Sequence, residues 1–138
     1  MSTYATYKTD QGKEKSGVLV DLGSAGKFTI ARAGGSNKDW SKKIAIATKP
    51  LRKQIQAETI DGALTDKILV EAFVDTVLKD WSDVTGREGA PLAFTRVNAI
   101  QLFTDLPDLF QELSKAASDA ATFRDVVLEA DSKNSQTA

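Results

Sequence analysis

The sequence predicts a mainly α-helical α+β fold, in which an N-terminal β-hairpin precedes a bundle of about four to five helices. Two short apolar runs, residues 18–22 and 28–30, flank the turn residues Gly23-Ser24-Ala25-Gly26, which is the pattern of a hairpin. From residue 38 onward, apolar side chains recur at the three- and four-residue spacing of helices. The 138 residues, 41% of them hydrophobic, suffice for one domain with its own core.

The predicted domain occupies residues 17–130 and includes the hairpin. Residues 1–16 are polar and lack a hydrophobic period, so we expect a disordered N-terminal segment. Residues 131–138 are also polar and are expected to form a flexible tail. Because an isolated hairpin is only marginally stable in water, it should pack on the helices or gain another strand.

The first predicted helix follows Gly34-Gly35 and carries two contrasting faces. Ser36 is the expected N-cap, with Asp39 three residues later, and Pro50 should kink or split the helix. The apolar arc consists of Trp40, Ile44, Ala47, Leu51 and Ile55. The opposite, basic arc consists of Lys38, Lys42, Lys49, Arg52 and Lys53.

A second predicted helix has Thr65 as its N-cap and ends near Trp81. Apolar residues cover more than half of its circumference, as in a helix at the centre of a bundle or at a subunit contact. Residues 82–94 form a thirteen-residue loop, and loops of that length commonly have a function. Shorter helices are then predicted from Thr95 to Phe103 and from Pro107 onward, with proline suited to the first helical turn.

The residue inventory disfavours an enzyme. The sequence has no cysteine and no histidine, which excludes disulfides, Cys/His metal sites and histidine-dependent nucleophilic catalysis. Gly26-Lys27 resembles the end of a phosphate-binding loop, but Asp21 and Phe28 occupy positions where that motif needs glycine and Ser/Thr. We therefore expect no catalytic residues, no cofactor and no metal.

The charge is divided unevenly along the chain. Residues 1–63 contain 11 basic and 6 acidic residues, a net charge of +5, whereas residues 64–138 contain 7 and 13, a net charge of −6. Opposite charges of similar size suit contact between copies, so a homo-oligomer is expected. The alternative is that the two halves form ordinary solvated surfaces that differ in the sign of their charge and make no contact between copies.

Six residues are candidates for contact with a protein partner. Two of them, Phe73 and Trp81, lie on the unusually apolar second helix. The other four lie on the basic arc of the first helix: Lys38, Lys42, Lys49 and Lys53. The same arc is the only plausible nucleic-acid footprint, but the overall net charge is −1 and no helix-turn-helix signature is present.

No stretch of the sequence is apolar enough to be a membrane span. The most apolar window, residues 68–78, is interrupted by Glu71 and Asp75 and is shorter than the roughly 20 apolar residues that a bilayer requires. No targeting segment is evident, and cytosolic localisation is expected.

The serial order of several short motifs resembles the tail assembly chaperones of long, non-contractile-tailed (lambda-like) bacteriophages. The resemblance covers residues 18–124 and includes the hairpin and the helix that opens between Asn37 and Trp40. Its further elements, in order, are Trp81, Thr85-Gly86-Arg87-Glu88-Gly89, Pro91-Leu92-Ala93-Phe94, Asn98-Ala99, Leu102-Phe103, Leu106-Pro107-Asp108-Leu109 and Phe123.

This resemblance implies a non-enzymatic protein that binds the tape measure protein, keeps it soluble and helps to recruit tail tube subunits. It further implies a location in the host cytoplasm and absence from the mature virion. Two alternatives remain open at this stage: a phage structural adaptor that is retained in the virion, and a small DNA-binding module that uses the basic arc.

Overall fold

A computed structural model describes residues 2–124 and confirms the predicted α+β class. Three antiparallel strands form one sheet: β1 (Val18–Asp21), β2 (Lys27–Ile30) and β3 (Leu78–Ser82). The helices are α1 (Thr3–Tyr7), α2 (Gln11–Ser16), α3 (Lys38–Thr48), α4 (Arg52–Gln56), α5 (Gly62–Thr76), α6 (Arg96–Asp105) and α7 (Pro107–Ser118).

The hairpin is confirmed, and a third strand completes it. β1 and β2 pair around a 3₁₀ turn at Gly23–Ala25, and β3 pairs with the other edge of β2. This pairing places Phe28 opposite Trp81. The prediction that the second helix continues to Trp81 is therefore wrong, because the helix ends at Thr76 and the chain turns into β3. An apolar run has no clear period, so pairing with β2 decides its structure.

The long first helix is split at the proline, as predicted. α3 ends at Thr48, a 3₁₀ turn spans Lys49–Leu51, and α4 follows. The predicted N-cap is wrong, because Asn37 occupies that position and its side-chain amide donates to the carbonyls of Arg32 and Thr76. The Ser36 hydroxyl instead donates to the carboxylate of Glu14.

Local signals set the ends of the later helices. Thr95 accepts a hydrogen bond from the Asn98 amide as the N-cap of α6, and Pro107 opens α7, both as predicted. The cap of α5 is Asp61 rather than Thr65, because the Asp61 carboxylate accepts from the Ala63 amide one turn earlier.

The core lies between the sheet and helices α5, α6 and α7. Phe73 on α5 is at its centre and meets the rings of Phe103 and Phe110 edge to face, with centroids 5.8 and 5.2 Å away. On the sheet side, the Phe28 and Trp81 rings are 6.2 Å apart. Burial of these rings, Ile30, Val77 and Leu113 holds the two layers together.

Residues 2–16 are ordered against the domain, so the prediction of a disordered N-terminal segment is wrong. The Asp10 amide donates to the carbonyl of Phe123, and Thr9 forms an isolated β-bridge with Arg124. Glu14 on α2 is only 2% exposed. A polar segment is therefore held by specific hydrogen bonds rather than by an apolar face. The predicted tail, residues 131–138, lies outside the described residues.

Candidate protein-interaction surfaces

The basic arc predicted on the first helix is a solvent-exposed surface. Lys38, Lys42, Lys49 and Lys53 are all exposed, and none of them has an ion-pair partner among residues 2–124. Ile46 is 71% exposed on the same helix, one turn after Lys42. This surface can accept an anionic partner, with an apolar side chain among its cations.

Phe73 and Trp81 are both buried. Phe73 is 0% exposed, so its ring is not available for direct contact with a partner while the domain is folded. Trp81 is 7% exposed, and it lines the cleft described below. The excess of apolar residues on α5 is accounted for by α3, α6 and β3, which pack against this helix, and by Phe110 of α7, whose ring meets Phe73. Phe73 is therefore corrected from a contact residue to a core residue, whereas Trp81 belongs to the core and also lines the cleft.

The functional loop was predicted at residues 82–94; in the structure Ser82 is the last residue of β3, and residues 83–94 form the loop. The loop is closed by hydrogen bonds from the Leu92 amide to the Val84 carbonyl and from the Gly86 amide to the Ala90 carbonyl, both below 3.0 Å. Gly26, with a φ of 112°, lets the hairpin turn approach the loop, because a Cβ there would lie 2.7 Å from a Val84 methyl. Such a loop can present a surface without ordering first.

A cleft of about 400 Å³ opens between this loop and the end of β3. Trp81 forms its floor, and its indole Nε1 donates to the Leu92 carbonyl at 2.9 Å. Phe94 forms one wall, is 38% exposed, and stacks edge to face on Trp81 with centroids 5.1 Å apart. Val84, Pro91 and Leu92 complete the apolar lining, and Ser82, Asp83 and Thr85 add a polar side to the cleft. The cleft can therefore take an apolar side chain from a partner.

Sequence reasoning singled out the loop by its length but did not identify Phe94. A phenylalanine in a loop gives no periodic signal, and its exposure depends on where Trp81 lies. The only sequence clue was the short apolar motif at residues 91–94, which contains proline, leucine and phenylalanine.

A buried ion pair, also missed from the sequence, joins the N-terminal segment to the start of α3. The Arg32 guanidinium donates to the Glu14 carboxylate at 2.6 Å, and the hydroxyls of Thr9 and Ser36 donate at 3.0 and 3.1 Å. Burial alone would raise the pKa of Glu14, but the hydrogen bonds from Arg32, Thr9 and Ser36 outweigh it, so the pKa lies below its ordinary value. These contacts make Glu14 a structural residue.

A second carboxylate ties α5 to two other helices. Arg96 donates to both oxygens of Asp75, at 2.7 and 3.1 Å, and Lys43 lies 3.3 Å away. The hydrogen bonds from Arg96 are the main cause that lowers the pKa of Asp75. Lys43 is thus ion-paired with Asp75, in contrast to the lysines of the basic arc.

The described residues were also compared with the requirements of a metal site and of a membrane span. In the described part of the chain, residues 2–124, no group of three or more His, Cys, Asp or Glu side chains is arranged to hold a metal ion. The helices of that part are also all too short or too polar to cross a membrane.

One family model matches the chain over residues 35–134, and it is described as YdaY prophage protein. The match covers well over half of the 138 residues. It begins just before α3 and ends after α7, so β1 and β2 lie outside it. No curated protein and no solved structure matches the chain.

Proposed function

The chain belongs to the family of YdaY prophage proteins, and from this premise we propose that it is a phage tail assembly chaperone. In this role it binds the tape measure protein, keeps that protein soluble and helps to bring tail tube subunits to it. The proposal includes action in the host cytoplasm and absence from the finished particle. It also assigns the chain no catalytic activity of its own.

Two sequence similarities support the proposal. The family places the chain among phage-related proteins. The order of motifs from residue 18 to residue 124 resembles tail assembly chaperones, and the motif at 91–94 within it forms one side of the cleft.

The observation that carries the proposal is the preformed apolar cleft beside Trp81 and Phe94. A tape measure protein exposes long amphipathic helices, and these aggregate through their apolar stripes unless another protein covers them. An aliphatic side chain from such a stripe fits a cleft that has aromatic walls and a backbone already held by hydrogen bonds. Because the loop is ordered beforehand, binding costs little conformational entropy.

Co-expression with helical fragments of the tape measure protein tests this function. The wild-type chain should move a fragment that is insoluble alone into the soluble fraction. Phe94→Ser removes the exposed wall of the cleft and should reduce the soluble yield several-fold. Val97→Ser is the matched control, because Val97 is 75% exposed and does not line the cleft. That control should rescue the fragment as the wild type does.

A fluorescence measurement locates the contact. In a Trp40→Phe background Trp81 is the only indole, so adding a soluble fragment should shift its emission if the fragment enters the cleft. Failure of the wild type to keep any fragment soluble would contradict the proposed function. Rescue that is insensitive to Phe94→Ser would place the binding surface elsewhere.

A further inference from the structure

Two exposed surfaces of this chain carry opposite charges that have no ion-pair partner among residues 2–124. The basic stripe consists of Lys42, Ile46 and Lys49, with Lys38 and Lys53 extending it at its ends. The acidic corner lies where α6 meets α7 and consists of Leu106, Asp108 and Glu112. Each surface has an exposed apolar side chain near charges that are mostly of one sign, with Asp39 on α3 and Lys115 on α7 as the nearby residues of opposite sign.

The acidic corner is accessible in the folded domain. Leu106, which links the two helices, is 49% exposed, and Asp108 and Glu112 are exposed one turn apart on α7. No salt bridge involves either carboxylate among residues 2–124. The preceding carboxylate, Asp105, is by contrast bound by Arg87 and Gln101.

The basic stripe and the acidic corner do not neutralise each other in one chain. The ion pairs of the described residues join neither Lys42 nor Lys49 to an acidic side chain, and α3 packs chiefly on α5 while α7 packs on α6. The net charges of +5 for residues 1–63 and −6 for residues 64–138 match this division. Complementary surfaces on one molecule can be paired by a second copy of it.

We propose that the basic stripe of one copy docks on the acidic corner of the next, head to tail. Lysine ammonium groups then face the carboxylates of Asp108 and Glu112, while Ile46 and Leu106 remove apolar surface from water between them. A second copy is the occupant favoured by the charges, because it provides the opposite sign and a matching apolar side chain. The proposal does not depend on which client the chain binds.

Head-to-tail contact uses two different surfaces on each copy, so every added copy leaves one surface of each kind free. Such contacts give open chains unless the rotation between copies closes a ring. Exposed ion pairs are individually weak and are screened by salt. We therefore expect association at tens of micromolar protein that weakens as the ionic strength is raised.

A charge-swap experiment tests the contact by light scattering at low ionic strength. The wild type should have a mass above the 14.9 kDa of one chain. The basic-stripe variant Lys42→Glu/Lys49→Glu and the acidic-corner variant Asp108→Lys/Glu112→Lys should each associate at least about tenfold more weakly. An equimolar mixture of the two should recover the assembly, because each reversed surface then faces a reversed partner.

The matched control is Lys67→Glu/Lys79→Glu, which makes the same change of net charge at two exposed lysines outside the stripe. It should associate as the wild type does, and circular dichroism should give the same helical content for all variants. A monomeric wild type at every concentration, or a mixture that stays monomeric, would overturn the proposal. A third outcome would also overturn the proposal. If the basic-stripe variant has the same assembly mass as the wild type but no longer binds a mixed-sequence DNA duplex, the stripe is a nucleic-acid surface.

Discussion

Replacing Phe73 by alanine should lower the free energy of unfolding by about 3–5 kcal/mol. The Phe73 ring is fully buried and touches the rings of Phe103 and Phe110 edge to face, so its removal leaves a cavity that rigid neighbours cannot fill. Urea denaturation followed by circular dichroism at 222 nm measures the effect. A loss this large is a substantial part of the stability of a domain of this size.

The control for this substitution is Val97→Ala. Val97 is an exposed residue of α6, so its truncation should change the free energy of unfolding by less than about 0.5 kcal/mol. If Phe73→Ala costs less than about 1 kcal/mol, Phe73 is not in the centre of the core, and the correction of its role from contact residue to core residue is wrong.

Arg32→Met should destabilise the domain by about 2–3 kcal/mol. The substitution leaves the buried Glu14 carboxylate without its cationic partner, which is costly because the charge has lost access to water. We place the loss below that of a fully buried pair, because the Arg32 side chain is itself 23% exposed and water can approach it. Thermal and urea unfolding of the variant measure the loss.

The pH dependence of the free energy of unfolding distinguishes the contribution of the Glu14–Arg32 ion pair from that of side-chain packing. The pKa of Glu14 in the folded chain is below its ordinary value of 4.5, so the stability that this carboxylate contributes is fully present above pH 4.5. It is lost as the pH falls through the folded-state pKa. Glu14→Gln cannot titrate and should flatten this acid limb. An unchanged acid limb in Glu14→Gln, or wild-type stability of Arg32→Met at neutral pH, would contradict the role of the pair.

Local sequence signals were sufficient at four places where a short motif decides the backbone. The turn residues 23–26 predicted the hairpin, and Pro50 predicted the break after α3. Thr95 and Pro107 predicted the starts of α6 and α7. In each of these places a side chain or a fixed φ angle acts on residues within one turn of itself. Such signals can be read without knowing the rest of the fold.

Apart from the cap of α5, which lies one turn earlier than predicted, the errors involve partners that are distant in sequence. Trp81 lies in a strand because β2, some fifty residues earlier, pairs with that segment. Residues 2–16 are ordered because the carboxylate of Glu14 meets Arg32 and because Asp10 bonds to Phe123 at the far end of the described chain. Periodicity and propensity contain no information on such pairings.

The candidate surfaces were predictable to different degrees. The lysines of the basic arc were found, because the exposed face of an amphipathic helix follows directly from its spacing. The cleft was not found, since it arises where the loop at 83–94 folds over the end of β3. Only its position in a long loop was available from the sequence.

The central claim is that this prophage protein assists tail assembly and does not remain in the product. Mass spectrometry of purified phage particles, compared with extracts of cells during phage production, tests it most directly. The account predicts that peptides of this chain are abundant in the extracts, where they co-purify with the tape measure protein, and are missing from particles that contain that protein. Peptides of this chain in the particles, in proportion to a structural tail protein, would contradict the account and favour a virion adaptor.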